Sequence, residues 1–188
     1  MRSYDYGKRE GTEEISWERF ARLVSEIAER LAGANADAVV GIARAGLLPA
    51  TAVACALRLD LFPIAMSRRE SDRVVHEKPV WKAAIPDAVR GRKIALVDEI
   101  TDSGETLRTA RDALREAGAA SVVTACLVSH TWADPPPDVA ALVTDALVLF
   151  PWDRRVFQQG EWRPHPELEE ALRLQSERRR DTERNDES

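Results

Sequence analysis

Acidic side chains and a turn suited to anions lie close together in the stretch ALVDEITDSGETL, Ala95–Leu107. Asp98 and Glu99 follow a short apolar run, and Asp102 comes shortly after them. Adjacent carboxylates repel a phosphate, but they accept hydrogen bonds from vicinal hydroxyls. We therefore expect the two adjacent acids to bind sugar hydroxyls, and Mg²⁺ could bind near them because it prefers hard oxygen ligands.

The residues after Asp102 are suited to binding a phosphate. Ser103, Gly104 and Thr106 stand just before an expected helix, where free backbone N–H groups and the positive end of the helix dipole attract an anion. Gly104 permits a close approach of the backbone to a ligand. Together with the acids, this turn predicts a sugar phosphate ligand, and the alternative is a helix cap with solvated acids.

A second candidate loop is GIARAGLLPA, Gly41–Ala50. Its glycine spacing is that of half a Walker A loop, but Leu47 and Leu48 replace the lysine and the hydroxyl residue that bind phosphates and Mg²⁺. A P-loop is therefore excluded, and the glycine-rich dinucleotide fingerprint is absent as well. Arg44 is either an anion ligand or a surface cation before a helix.

Alternating strands and helices must position these loops. The apolar spacing between Trp17 and Leu31 predicts a helix capped by Ser16. Buried strands are expected over ADAVVGIA, LFPIAM, KIALVDE and SVVTACLVS, helices over PATAVACALRL and TLRTARDALREAG, a further strand in DALVLFPWD and a last helix over residues 166–175. This order predicts an α/β fold with a mainly parallel sheet flanked by helices, in which ligands bind at the carboxyl ends of the strands.

Composition narrows the class of protein. The 188 residues suffice for one sizeable domain, and the net charge of −5 does not favour a nucleic-acid surface. An apolar run of membrane-spanning length and a signal-peptide core are both absent from the sequence, so we expect a cytoplasmic location. Cys55 and Cys126 lack CxxC spacing, and the three histidines are far apart, so a structural metal site is not expected.

The segment VDEITDSGET resembles the phosphoribosyl-diphosphate signature of type I phosphoribosyltransferases, which consists of two acids, two spacers and then Asp-Thr/Ser-Gly-x-Thr. The segment IARAGLLPA is similar to the diphosphate loop of xanthine-guanine phosphoribosyltransferases, Ser-Arg-Gly-Gly-Leu, with Ala43 and Ala45 in place of serine and glycine. The resemblance covers most of residues 36–153 and is closest to the purine enzymes of the hypoxanthine and xanthine-guanine type.

The resemblance implies a role for each matching residue. Asp98 and Glu99 would bind the ribose hydroxyls, and Asp102 would be the catalytic general base that faces the nucleobase. The 5′-phosphate would lie against Ser103, Gly104, Glu105 and Thr106, and the leaving diphosphate against Arg44, Ala45 and Gly46. The implied cofactor is Mg²⁺, with Asp98 and Asp153 as candidate ligands.

The base-recognition region resembles the family less closely. FPWD, Phe150–Asp153, matches the end of the sheet that forms the purine pocket of 6-oxopurine enzymes. The implied pocket contains Leu147, Val148, Trp152 and Asp153. Leu147 stands where an aromatic residue usually stacks on the base, and Ser129 or His130 replaces a lysine that contacts the purine O6. The sequence therefore retains the sugar-phosphate half of the site and alters the base half.

The same resemblance implies the organisation of the chain. We expect a single domain over residues 1–175, with a core at about 36–153 and a small hood from both ends, followed by a disordered tail over 176–188. The polar segment 67–91 resembles a mobile loop that closes over the substrate, with a short hairpin around VVHEKPVW.

The implied activity is the Mg²⁺-dependent transfer of ribose 5-phosphate from phosphoribosyl diphosphate to a nucleobase, with a 6-oxopurine in purine salvage as the leading candidate. The expected partners are these two substrates and further copies of the chain, as a homodimer or higher homo-oligomer, without nucleic acid or membrane. The alternative is a non-catalytic or regulatory protein that binds phosphoribosyl diphosphate or a nucleotide. A diphosphokinase is excluded because that class is longer and has two related domains.

Overall fold

The computed structural model describes residue 9 and residues 11–67, 69–70, 73–74 and 80–186. The chain divides into two compact units. The larger unit consists of residues 20–144, and the terminal unit consists of residues 1–19 and 145–188. The expected working arrangement, one domain over residues 1–175 with a core at about 36–153, stays a prediction.

A six-stranded sheet forms the centre of the larger unit. In chain order the elements are β1 (Thr12–Glu14), α1 (Trp17–Ala32), β2 (Ala38–Ala43), α2 (Leu47–Leu57), β3 (Asp60–Ser67), β4 (Arg69–Glu70), β5 (Arg73–Val74), β6 (Val80–Ala83), β7 (Lys93–Thr101), α3 (Glu105–Glu116), β8 (Ser121–Ser129), β9 (Val139–Val143), β10 (Leu147–Leu149), β11 (Arg155–Gln158), β12 (Glu161–Pro164) and α4 (Pro166–Asp186). The strand order of the sheet is β6-β3-β2-β7-β8-β9, and its pairs are parallel except for β3 with β6. The predicted α/β fold with a mainly parallel sheet is confirmed.

Continuous apolar runs form the middle strands of this sheet. Ala38–Val40 of β2 and Ala95–Val97 of β7 are fully buried. Strands that are covered on both faces are apolar along their whole length, whereas half-exposed strands alternate. The carboxyl ends of β2 and β7, where the polar residues begin, are therefore held by a rigid core.

Helices α2 and α3 cover opposite faces of the sheet. Val40 of β2 packs in one cluster with Leu107 and Leu114 of α3. Gly41, the next residue of β2, faces Leu47 and α2 instead, since a Cβ at Gly41 would lie 2.9 Å from the Leu47 side chain. Successive residues of a strand point to opposite faces, so the two helices lie on opposite faces of the sheet. Both helices begin at the same edge, because each follows one of the parallel strands β2 and β7.

Caps close the ends of two helices, and the cap at Ser16 is the one that the sequence predicts. The Ser16 hydroxyl accepts a hydrogen bond from the Arg19 N–H at 3.2 Å, which satisfies a donor in the first turn of α1. Gly118, with φ of +95°, follows the end of α3, and its N–H donates to the Arg115 carbonyl at 3.0 Å.

Strand β9 is an element that the sequence analysis missed. It follows the turn-rich segment ADPPPD and pairs in parallel with β8. Asp138 fixes its start, because the Asp138 carboxylate accepts from the Thr124 N–H at 2.7 Å and from the Thr124 hydroxyl at 2.8 Å. These contacts join residues far apart in sequence, so the short run VAALV does not by itself predict the strand.

The terminal unit contains the strand that was predicted in DALVLFPWD. This strand, β10, pairs in parallel with β1, with Thr12 opposite Leu147, and it is not part of the six-stranded sheet. Strands β11 and β12 then form an antiparallel hairpin that the sequence analysis did not predict. Its turn residues Gln159 and Gly160 both have positive φ, as a tight two-residue hairpin requires.

Helix α4 is longer than the sequence predicts. The last helix was expected over residues 166–175 and a disordered tail over 176–188, but the helix continues to Asp186. The tail is rich in glutamate and arginine, which are good helix formers, and Arg173 pairs with Glu177 one turn later at 2.7 Å. Among the described helices, α4 included, none combines the length and apolar character needed to cross a bilayer.

The polar segment between β3 and β7 is described in part. Strand β6 pairs with β3, with Ser67 opposite Val80, and β4 pairs with β5. The hairpin predicted around VVHEKPVW falls largely on residues 75–79, which lie outside the described residues. The closing role of the segment stays a prediction.

Candidate active site

The acid loop, defined here as Asp98–Thr106, begins inside strand β7. The sequence predicts that this strand ends at Glu99, but the pairing with β8 continues to Thr101, which lies opposite Ser129. Asp98 and Glu99 are therefore held by a sheet ladder. Their position at the carboxyl end of a central strand is where ligands bind in sheets of this type.

Asp98 is the buried acid of this loop, with a relative exposure of 6%. Burial, and after it the negative charge of Glu99, raises the pKa of Asp98 well above its ordinary value. Its Oδ1 accepts a hydrogen bond from the Glu99 N–H at 3.0 Å. Among the described residues neither carboxylate is held in an ion pair, so hydroxyl donors or a cation would favour the ionised form of Asp98.

Cys126 lies beside Asp98 on the neighbouring strand β8. The thiol is fully buried, and it donates to the Val128 carbonyl at 3.0 Å. Burial raises the pKa of Cys126 to about 12. The thiol is therefore neutral at physiological pH, which agrees with its interpretation as a small buried hydrophobe.

The turn at the end of the acid loop opens helix α3. Gly104 precedes the helix with φ of +83°, and the Ser103 hydroxyl accepts from the Glu105 N–H at 3.4 Å. A Cβ at Gly104 would lie 2.5 Å from the Pro135 carbonyl oxygen, so only glycine fits there. Ser103 is exposed, and Glu105 and Thr106 are partly exposed. The turn thus presents the N-terminal end of a twelve-residue helix to solvent.

The diphosphate loop, defined here as Ala43–Gly46, follows strand β2. Arg44 is exposed, and the Ala43–Arg44 peptide bond is cis. The Arg44 carbonyl accepts from the Leu47 N–H at 3.2 Å, which links the loop to the first turn of α2. Gly46 is buried at the end of the loop, directly before the helix.

Gly46 brings the two loops into contact. A Cβ at Gly46 would lie 2.4 Å from Asp98 Oδ1 and 3.1 Å from Asp98 Cα. The first distance is shorter than real Cβ contacts, so the backbone of the diphosphate loop lies directly against the Asp98 carboxylate. The structure therefore places together the two loops that the sequence singled out, at the shared edge of β2 and β7.

The end of β8 adds two residues to the surroundings of Asp102. His130 is 1% exposed, and its Nδ1 lies 2.5 Å from the Thr144 carbonyl oxygen. The Trp132 ring stacks on His130, with a centroid distance of 4.4 Å, and the Trp132 Nε1–H donates to Asp102 Oδ1 at 3.1 Å. His130 was considered as a lysine replacement, whereas Trp132 was not predicted as a site residue. An aromatic residue just past a strand end was the available signal.

The predicted base-pocket residues belong to the terminal unit. Leu147 is buried and Val148 half-buried on β10, and Asp153 is exposed in the turn that follows. Trp152 stacks on Phe150 with a centroid distance of 4.7 Å. Their role in base recognition stays a prediction.

The carboxylates of the acid loop suit a Mg²⁺ ion that takes its other ligands from the substrate and water. No cluster of three or more histidine, cysteine or acidic ligands occurs within the described part of the chain. Mg²⁺ commonly takes one or two carboxylates and completes its shell with water and substrate phosphates. Asp98 and Glu99 could supply such carboxylate oxygens, whereas the assignment of Asp153 as a second ligand stays a prediction.

The family described as the phosphoribosyl transferase domain matches residues 12–160. The chain belongs to the phosphoribosyltransferase family. A xanthine-guanine phosphoribosyltransferase of Gluconobacter oxydans is 31% identical over 147 residues, which cover 74% of this chain and 83% of that protein. The bifunctional protein PyrR of Citrifermentans bemidjiense is 31% identical over 124 residues, which cover 61% of this chain and 70% of that protein.

Solved structures show the same fold for this phosphoribosyltransferase. A purine phosphoribosyltransferase from Pyrococcus horikoshii has a TM-score of 0.68 at 27% identity, over 75% of this chain and 93% of that one. A Neisseria gonorrhoeae protein with bound ppGpp has a TM-score of 0.66 at 22% identity, over 88% of this chain and 96% of that one, and at this identity it supports the fold alone. The predicted membership of the type I family and the predicted transferase activity are confirmed.

Proposed function

We propose that this phosphoribosyltransferase transfers ribose 5-phosphate from phosphoribosyl diphosphate to a 6-oxopurine and releases diphosphate, as in purine salvage. The observation that carries the proposal is the packing of Gly46 against Asp98, because it joins the diphosphate loop to the acid loop. A ligand that spans this edge would meet an exposed arginine, carboxylates and a helix N-terminus in turn. Phosphoribosyl diphosphate carries groups that suit each of them.

Each described group has a part in binding. The turn Ser103–Thr106 would bind the 5′-phosphate through helix N–H groups and hydroxyls. Glu99 and Asp98 would accept hydrogen bonds from the ribose hydroxyls. Arg44, which is exposed next to this edge of the sheet, would bind the diphosphate by charge-assisted hydrogen bonds. A bound Mg²⁺ would supply further positive charge for the leaving diphosphate.

The transfer exchanges one bond at C1′ for another. The bond from C1′ to the diphosphate oxygen breaks and its electron pair leaves with the diphosphate, and the base nitrogen then supplies the pair for the new C1′–N bond. The proton of that nitrogen goes to the Asp102 carboxylate, which acts as general base. Asp102 is partly exposed at the end of β7, where it can reach an incoming base.

The choice of a 6-oxopurine rests on the relatives. Proteins of Gluconobacter oxydans and Cereibacter sphaeroides named xanthine-guanine phosphoribosyltransferase are each 31% identical to this chain. A regulatory role is the second candidate, because the bifunctional protein PyrR is equally identical over a shorter region. In that case the chain would bind phosphoribosyl diphosphate or a nucleotide without turnover. We further propose that the chain forms a homodimer or higher homo-oligomer in the cytoplasm. Light scattering of the purified chain would test the oligomeric state.

A diphosphate-release assay with a panel of bases distinguishes the candidates. The panel contains hypoxanthine, guanine, xanthine, adenine and uracil, with phosphoribosyl diphosphate and Mg²⁺ present, and calorimetry measures ligand binding in parallel. Release with one or more of the three 6-oxopurines supports the proposal. Binding of phosphoribosyl diphosphate without release for any base supports the regulatory role, and release with adenine or uracil alone contradicts the substrate assignment.

A further inference from the structure

Trp132, His130 and Thr144 form a connected set around Asp102. The Trp132 indole N–H donates to Asp102 Oδ1 at 3.1 Å, and the ring stacks on His130 at an interplanar angle of 17°. His130 Nδ1 lies 2.5 Å from the Thr144 carbonyl oxygen. Because a carbonyl oxygen only accepts, Nδ1 carries the proton in this contact.

We propose that Trp132 is a positioning residue that orients the Asp102 carboxylate for proton transfer. The proposal rests on the proposed function, in which Asp102 accepts the proton of the base. The indole N–H donates to Oδ1 and thereby holds the plane of the carboxylate in one orientation. Trp132 acts through Asp102 and does not itself touch the reacting atoms.

The stack explains why the indole can hold its position. His130 is 1% exposed and is tied to the Thr144 backbone, so its ring is a fixed platform at the end of β8. Trp132 itself is 36% exposed, and without the platform its ring would sample several rotamers. A face-to-face contact with a fixed ring lowers the number of arrangements open to the indole, which keeps its N–H aimed at the carboxylate.

Orientation of a catalytic carboxylate has a large effect on rate. Asp102 sits in a turn between a strand and a helix, and rotation about its side-chain bonds changes the directions in which its oxygens can accept a proton. A hydrogen bond to one oxygen of an ionised carboxylate is stronger than a neutral one and fixes the plane of the group. Productive geometry is a condition for general-base catalysis, so we expect the effect in turnover rather than in substrate binding.

Trp132→Phe tests the proposal, because phenylalanine keeps an aromatic ring for the stack on His130 and lacks the N–H donor. We expect kcat to fall about 10-fold, the scale of one lost hydrogen bond to a charged group, while KM for phosphoribosyl diphosphate stays within about 2-fold. In an Asp102→Asn background the same substitution should cause no further loss. Trp162→Phe is the control, since Trp162 is an exposed tryptophan of the β11–β12 hairpin whose ring contacts Phe157, and the kinetics of this variant should equal those of the wild type.

The double substitution separates positioning from a general effect on stability. If Trp132→Phe lowers kcat by the same factor with and without the Asp102 carboxylate, Trp132 does not act through Asp102 and the proposal is overturned. A rise in KM without a fall in kcat overturns it as well. If the wild type releases no diphosphate with any base, the proposed function fails first, and the positioning role fails with it.

An NMR measurement tests the contact independently of turnover. The indole N–H resonance of Trp132 is identified by its loss in Trp132→Phe, and it should shift in Asp102→Asn while the resonance of Trp162 stays in place. An unchanged Trp132 resonance would show that the indole does not bind the carboxylate, even in a fully active enzyme. This outcome also overturns the proposal.

Discussion

The acid loop and the diphosphate loop meet at one edge of the sheet, but one presents mainly side chains and the other mainly backbone. The acid loop presents side chains: two adjacent carboxylates, a third acid and hydroxyls before a helix. The diphosphate loop presents one exposed cation, and the rest of it is backbone packed close to the Asp98 carboxylate. Its alanines at positions 43 and 45 replace serine and glycine of the family pattern without altering the glycine that makes the contact.

This difference predicts how each loop responds to substitution. A loop that works through side chains loses its chemistry when a functional group is removed and keeps its shape. A loop that works through its backbone loses its shape when a single carbon is added.

Removal of the Asp102 charge should have the largest effect. Asp102→Asn keeps the size of the side chain and removes the proposed general base, so we expect turnover to fall roughly 10²–10⁴-fold. Binding of phosphoribosyl diphosphate should change little, because other groups of the acid loop hold it. Steady-state kinetics and calorimetry measure the two quantities. Equal losses in both would assign Asp102 to binding instead of catalysis.

Gly104→Ala should give the largest loss of stability. The backbone at Gly104 is left-handed, and the added Cβ would meet the Pro135 carbonyl oxygen at 2.5 Å. We expect the free energy of unfolding to fall by roughly 2–5 kcal/mol, from backbone strain and overpacking together.

Gly160→Ala is the matched control for Gly104→Ala. Gly160 has the same φ of +83°, but nothing lies within 4 Å of its would-be Cβ. Its substitution should cost only the backbone part, about 1–2 kcal/mol. Urea unfolding measures both variants, and an equal loss at the two glycines would show that close packing of the acid loop contributes nothing.

Gly46→Ala tests the contact between the loops. Its φ of −62° is open to any residue, so the cost comes only from crowding against Asp98 and the Ile42 carbonyl oxygen. We expect a loss of roughly 1–3 kcal/mol in the free energy of unfolding, together with weaker binding of phosphoribosyl diphosphate. Gly33→Ala is the control, since its Cβ would meet only the Arg30 carbonyl at 3.6 Å. Unchanged binding of phosphoribosyl diphosphate in Gly46→Ala would show that the contact between the two loops is not needed for binding.

The smallest expected effect is the contribution of Asp98 to the pH dependence of the free energy of unfolding. The pKa of Asp98 in the folded chain is raised well above 3.8 by burial and by Glu99. The folded chain therefore keeps a proton that the unfolded chain releases, so the contribution of Asp98 to stability is present below pH 3.8 and is lost as the pH rises through the folded pKa. Asp98→Asn should gain stability relative to the wild type across this window. Parallel urea curves at every pH would contradict the raised pKa.

The sequence predicted the central part of the fold because its evidence is local. Apolar runs such as Ile94–Val97 and the stripe of α1 are contiguous in sequence, and each fixes one element by itself. The acid loop was found for the same reason, since its acids, glycine and hydroxyls are neighbours in the chain. Resemblance to the family then supplied roles that spacing alone could not.

The elements that escaped prediction depend on contacts between distant residues. Strand β9 is fixed by the bonds between Asp138 and Thr124, fourteen positions apart. Trp132 reaches Asp102 across thirty positions. The prediction for helix α4 was too short because charged composition is shared by solvated tails and by exposed helices, and composition alone does not distinguish them.

The difference between the two cysteines has a practical consequence. Cys126 is sealed beneath the acid loop with a pKa of about 12, and alkylating reagents attack only thiolates that they can reach. Cys55 is exposed on α2, beside Thr51 and Arg58 in an open groove. A maleimide dye should therefore mark the folded chain at one position, which provides a fluorescent reporter on the helix that follows the diphosphate loop without any engineered thiol.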